Sequence, residues 1–390
     1  MLNYLHMVLR SYWLKLVESA WSRKSIVWLS GVRRVGKTFL CQSIPGIEYF
    51  DCELPRTRRQ MEDPEGFLEK LKNRKVVLDE IHRLSNPSEF LKIAADHFQS
   101  IKIIATGSST LQASSRFRDT LVGRKAEIWL TPMMSQDLID FGNQDLPYRL
   151  LRGGLPPFFL SPKLPETDFQ EWIDSYWARD IQELFRLERR ASFQRFLELL
   201  FTQSGGLFEA SRFAAPCEVS RGTISNYLSV LESTWVTHVI RPFSTRRSVE
   251  IIAAPKIYAF DTGFVCFFRG WHQLREDDFG LLWEHWVLNE MYSYLQAPMV
   301  HYWRDKKGHE VDFILIPRGK KPVAIECKWK ADQLEPGNLK AFRNHYPEGP
   351  NWIVCQDVTR AYTRSYANLK VEFIGLEEAG ARLGSLFPRG

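Results

Sequence analysis

The sequence predicts an α/β protein of more than one domain, and three stretches carry that expectation. SIVWLSGVRRVGKTFL (25–40) runs a short apolar strand into a glycine-bounded loop and an apolar helix. FEASRFAAPCEVSRGTISNYLSVLES (208–233) has the form of two helices around a turn. EVDFILIPRGKKPVAIECK (310–328) has the form of a hairpin bearing acids and a lysine. A chain of 390 residues exceeds what one core holds.

The bulk numbers set the class. Hydrophobic content of 44% and charged content of 25% are those of a folded globular chain. No stretch approaches ~20 uninterrupted apolar residues, so no membrane span is expected. The first 21 residues mix apolar residues with Arg, Lys, Glu and His, and predict an amphipathic helix, not a signal peptide. Six scattered cysteines without a Cys-x-x-Cys point away from disulfides and structural zinc, and toward a reducing cytoplasm. A net charge of +6 is a mild bias toward polyanions.

In the first stretch, Ile26 to Leu29 form the strand. Gly31-Val-Arg33-Arg34-Val35-Gly36-Lys37-Thr38 follows and matches G-x-x-x-x-G-K-[ST]. The glycines let the backbone curl so that N–H groups point at phosphate oxygens, and the helix start adds a favourable dipole. Lys37 reaches the β/γ-phosphates of ATP, and the Thr38 hydroxyl ligates Mg2+. Lys75-Val-Val-Leu-Asp79-Glu80 is an apolar run ending in two acids. Asp79 is expected to hold Mg2+ through water and Glu80 to orient the attacking water. Ile101 to Thr106 is a third strand, with Ser108 or Ser109 as the γ-phosphate sensor. Strands alternating with helices imply a parallel sheet, with the nucleotide at its carboxyl ends. Arg116, Arg118 and Arg124 follow, and Arg124 is the candidate finger for a neighbouring subunit, which implies a homo-oligomer.

After Pro132 the pattern turns helical, breaks at RGGLPP, and resumes as one long helix over about 168–201. A short helix at 209–215 then precedes a second that Ser220 caps and that ends near Ser233. Ile224, Tyr227, Leu228 and Leu231 give this second helix an apolar face. Strand-like residues and a basic turn with Arg241, Arg246 and Arg247 complete a winged helix-turn-helix layout. Ser220, Arg221, Thr223, Ser225 and Asn226 would face a DNA groove. The same shape serves as a protein-binding module or a plain scaffold.

In the last third, a helix carrying Glu284 precedes strands, the hairpin, a helix near 339–345 and a strand at 352–358. The alternation in IECK sets Glu326 and Lys328 on one face and Ile325 and Cys327 on the other. The hairpin brings Asp312 alongside. Helix, hairpin and acid-lysine triad in this order form the PD-(D/E)xK nuclease core. Asp312, Glu326 and Glu284 would hold Mg2+, and Lys328 would stabilise phosphorane charge. The alternative is a hairpin whose wet face is decorated with acids and lysines.

With these pieces in order, the chain resembles a family of bacterial and archaeal ATPases. They pair an AAA+-type P-loop domain with a C-terminal winged-helix and PD-(D/E)xK nuclease-like region. The resemblance rests on GVRRVGKT, VVLDEIHRL, ATGSS, LVGRKAEIWL, RGGLPPF, PKIYAFDTG, YWRDKKGHEVDFIL and VAIECKWK. It implies three parts: an AAA+/RecA-like parallel sheet over 1–145, a helical and winged-helix segment over 146–250, and a restriction-endonuclease-like α/β domain over 251–390. It implies ATP and Mg2+ as cofactors, with Lys37, Thr38, Asp79 and Glu80 as the ATP site and Asp312, Glu326 and Lys328 as the nuclease-like site. The expected function is an ATP-hydrolysing, DNA-handling protein with a Mg2+-dependent nuclease domain. Two rivals stand beside it: a DNA-structure-binding remodelling ATPase with an inactive nuclease fold, and a protein-binding signalling ATPase.

Overall fold

The computed structural model describes residues 8–107, 120–182, Phe185, Leu187, 189–244 and 254–387. Ser108, Ser109, Arg116, Arg118, Arg246 and Arg247 lie outside the described residues. The chain opens on the helix Ser11–Trp21, whose Trp13, Leu16, Val17 and Ala20 recur at helical spacing and are buried.

Five parallel strands follow: β1 (Ile26–Ser30), β2 (Ile47–Asp51), β3 (Lys75–Asp79), β4 (Lys102–Ala105) and β5 (Lys125–Trp129). Their order is β2-β3-β4-β1-β5. Every residue of β1 is buried, as a strand covered on both faces requires. Parallel pairing places the carboxyl ends of β1, β3 and β4 along one edge, where the glycine loop, the acid pair and Thr106 fall.

The stretch expected as one long helix is split. It forms the helix Glu166–Ser175, a π-helix Tyr176–Gln182, and the helix Arg190–Thr202. The wider π turn accompanies two side-chain contacts: the Tyr176 hydroxyl bonds that of Thr234 at 2.6 Å, and Asp180 pairs with Arg33.

A second sheet has eight strands in the order β12-β13-β11-β10-β9-β8-β6-β7. They are β6 (Thr237–Pro242), β7 (Lys256–Ala259), β8 (Val300–Arg304), β9 (Glu310–Leu315), β10 (Val323–Lys328), β11 (Asn351–Cys355), β12 (Tyr362–Tyr366) and β13 (Leu369–Ile374). The β6–β7 pair, in the place of a wing, continues into this sheet because β6 pairs in parallel with β8. The sheet therefore holds strands from both sides of residue 250.

One core joins the parts. It packs Trp13 and Val27 of the first sheet's layers with Trp172, Tyr227 and Trp283 of the later ones. A second core covers the other face of the first sheet, and a third covers the other face of the second sheet.

Candidate functional site

The phosphate loop is shaped by two glycines. Gly31 has φ +146°, and a Cβ there would meet the Leu130 carbonyl oxygen at 2.5 Å. Gly36 has φ +102° and ends the loop where the six-residue helix Lys37–Gln42 begins. Lys37 Nζ donates to the carbonyl oxygens of Gly31 (2.8 Å) and Val32 (3.1 Å). Buried Arg10 clamps the loop from below, donating to the Val35 carbonyl (2.9 Å) while pairing with Asp137 (2.6 Å).

Across the cavity, Asp79 receives three hydroxyls. Thr38 Oγ1 donates to it at 3.4 Å, and Tyr49 and Thr106 also donate to it. Thr106 in turn accepts from the Glu80 backbone N–H at 3.0 Å. Glu80 has φ +52° and pairs with His82 at 3.1 Å. Burial pushes its carboxyl up, but the His82 bond and charge, with Lys37 and Arg33, outweigh this and hold it below its ordinary range. Lys37 also falls below its usual value: burial lowers it despite the charges of Glu80, Asp180 and Asp79. Lys37, Thr38, Asp79, Glu80 and His82 line one cavity of about 760 Å³, which also takes in Tyr176, Asp180 and Trp235.

The loop arginines turn to the helical segment. Arg33 Nε pairs with Asp180 at 3.0 Å, and its carbonyl accepts from Trp172 Nε1 at 3.0 Å. Arg34, at φ +63°, lies 3.6 Å from Glu171. Arg124 is not brought to the cavity. It precedes β5, whose first residue pairs with Ile26 at the amino ends of the strands, and it is held by Asp96 at 2.7 Å.

The nuclease-like residues form a separate group. In the β9–β10 register Ile325 faces Phe313, and one further step sets Glu326 across from Asp312. The β8–β9 register takes three steps on β9 against two on β8 between His301 and Trp303, a bulge beside Asp312. Asp312 Oδ2 accepts from the Cys327 backbone N–H at 2.8 Å, and Lys328 Nζ bonds Glu326 Oε2 at 3.0 Å. Ile325 and Cys327 enter the main core. Burial and then the Asp312 charge push Glu326 up to about 8, and burial and then Glu284 push Asp312 up. Glu326 Oε1 is buried with no hydrogen-bond partner among the described residues.

Glu284 lies near enough to Asp312 to raise its carboxyl, but its own side chain is bound by two other groups. Lys256, at the start of β7 and 4% exposed, reaches Glu284 (3.0 Å) and Glu310 (2.8 Å), and the Tyr258 hydroxyl also donates to Glu284. Among the described residues, no set of three or more His, Cys, Asp or Glu side chains is arranged to hold a metal ion. Asp312 and Glu326 face each other across the hairpin, with Glu284 near Asp312.

In the middle region, the helix Arg221–Ser233 is capped by Ser220 Oγ, which accepts from the Thr223 N–H at 3.1 Å. Ile224, Tyr227, Leu228 and Leu231 are buried, while Ser220, Arg221, Ser225 and Asn226 are exposed and Thr223 is half-buried. Ser225 spends its hydroxyl on the Arg221 carbonyl (3.1 Å), and Arg241 pairs with Glu232 (3.1 Å).

Sequence reasoning missed Arg10, Tyr49, Thr106, Asp180 and Lys256. Thr106, in the small-residue end of ATGSS, had a signal. Lys256 and Asp180 had none, since each acts on a partner more than 25 residues away.

Residues 23–139 match the model of an AAA domain. Residues 143–275 and 279–373 match two domains of unknown function, DUF8612 and DUF4143. The uncharacterized proteins Rv2008c of Mycobacterium tuberculosis and Mb2031c of Mycobacterium bovis are each 27% identical over 325 residues, 80% of this chain and 72% of theirs. The Walker-type ATPase PABY2304 of Pyrococcus abyssi is similar at 15% identity and TM-score 0.42, covering 67% of this chain and 96% of that one. The AAA-domain match and the phosphate cradle together support a P-loop ATPase. Among the described residues, no helix is long and apolar enough to cross a membrane.

Proposed function

We propose that this chain hydrolyses ATP and uses the cycle to handle DNA held by its later regions. The observation that carries this is the convergence of Lys37, Thr38, Asp79 and Glu80 on one cavity at the carboxyl ends of a parallel sheet. Lys37 offers its ammonium to the β/γ-phosphates. Thr38 and Asp79, whose oxygens lie 3.4 Å apart at the cavity, would hold Mg2+, and the ion would neutralise charge on the phosphates. Glu80, kept ionised by His82 and Lys37, orients the attacking water. Thr106 holds the Glu80 backbone in place.

On the DNA side, the exposed amino end of the Arg221–Ser233 helix suits backbone and groove contacts. The buried, unpartnered Glu326 Oε1 beside Asp312 suits one divalent cation, which would supply Lewis-acid activation of a phosphodiester. Lys328 then stands ready to neutralise phosphorane charge. A second reading has its own observation: Lys328 and Lys256 already serve Glu326 and Glu284. In that reading the fold grips DNA without cutting it.

The test is phosphate release with and without duplex and forked DNA, beside a plasmid-nicking assay in Mg2+ or Mn2+. ATP hydrolysis that rises when DNA is added is expected. A protein with no ATP hydrolysis under any of these conditions sinks the proposal, and hydrolysis without nicking selects the gripping form.

A further inference from the structure

The phosphate loop carries an acid from outside its own domain. Asp180 lies on the π-helix Tyr176–Gln182, in the region matched to a domain of unknown function. Its Oδ2 is 3.0 Å from Arg33 Nε, and it lines the same cavity as Lys37, Thr38 and Glu80. Two flanking contacts hold it there: Trp172 Nε1 on the Arg33 carbonyl (3.0 Å) and Glu171 near Arg34 (3.6 Å). The Asp180 charge favours the Lys37 ammonium, as those of Glu80 and Asp79 do. The π turn is a rare element that clusters at functional sites.

We propose that Asp180 is a counter-anion of the phosphate loop, competing with the phosphates of a bound nucleotide for Arg33 and Lys37. This rests on the ATP reading above. Phosphates entering the loop meet a like charge beside the two cations they need. Binding then weakens the Arg33–Asp180 contact, and the 166–182 segment loses one of its ties to the loop. Occupancy of the first domain is thereby felt by the region that leads to the helix-turn-helix.

The experiment is a calorimetric titration of wild type, Asp180→Asn and Asp180→Glu with ATP, ADP and adenosine. Asp180→Asn is expected to tighten ATP about tenfold, because it removes one like charge a few ångströms from the phosphates. ADP should gain less, and adenosine should not change. Asp180→Glu should bind as wild type does. In an Arg33→Gln background the gain from Asp180→Asn should shrink, which keeps the test open if one single variant folds poorly. Unchanged or weaker ATP binding by Asp180→Asn overturns the proposal, as does an equal gain for adenosine. A wild type that binds none of the three overturns the ATP reading itself, and this inference with it.

Discussion

Two places in the chain set one lysine among carboxylates, and their charges are balanced in opposite senses. At the phosphate loop, Lys37 is lowered by burial more than Glu80, Asp180 and Asp79 raise it, while Glu80 is held below its usual range. In the second sheet, burial acts on Lys328 too, but Asp312 and Glu326 outweigh it and raise the ammonium; Glu326 itself rises to about 8. The first site has a cation short of compensation and is built to receive an anion. The second has carboxylates short of compensation and is built to receive a cation or a proton. The same three residue types thus yield opposite demands, and the difference comes from the surroundings. Hydroxyls and His82 serve the acids of the first site, whereas buried strands and each other surround the acids of the second.

The widest contrast follows from removing the first cation. Lys37→Ala should cut phosphate release by about 100-fold or more, since the developing phosphate charge loses its nearest fixed ammonium. Release within a few-fold of wild type would break the comparison at its stronger end.

The second site is probed through its acids. Titrating Mn2+ calorimetrically, Asp312→Asn should weaken binding by about tenfold or more, while Glu284→Gln weakens it by a smaller factor. The reason is that Glu284 is taken by Lys256 and Tyr258. Equal losses from the two variants would mean that Glu284 swings in as a ligand, and that the lysine contact is no barrier.

The legible parts of this molecule were those written in local order. GVRRVGKT, KVVLDE and the Ser220-capped helix each show their chemistry within about fifteen residues, and the parallel sheet follows from strands alternating with helices. What could not be read is non-local. The long helix expected over 168–201 reads as continuous, yet Asp180 sits on a π turn with its partner 147 residues earlier. Glu284 lies near Asp312, but its capture by Lys256, a lone lysine after a proline, has no local signal. The bulge beside Asp312 leaves no mark in EVDFIL, because it exists only in the pairing of β9 with β8. Arg124 follows a strand-like run in sequence, but the register of β5 puts it at the amino ends of the strands.

Glu290 isolates the burial effect from the lysine effect, because it is a buried acid with no lysine at hand. It lies on the helix Glu276–Leu295, 2% exposed, and accepts from the Ser135 backbone N–H. Burial pushes its carboxyl from 4.5 to about 7; the Asp137 charge adds to this, and the Ser135 bonds and the Arg149 charge oppose it. An unfolded chain would ionise this group near 4.5. Between that value and about 7 the folded protein keeps a proton that the unfolded chain has lost, so stability falls as pH rises through this window and levels off above it. The gap corresponds to about 3 kcal/mol above pH 7. Glu290→Gln keeps the acceptor for Ser135 and removes the charge. Its thermal midpoint should exceed that of wild type by about 3 °C at pH 8, and match it near pH 4.5. An offset that is the same at both pH values would assign the effect to packing. The raised carboxylates of the second sheet would then have to owe their shift to each other more than to burial.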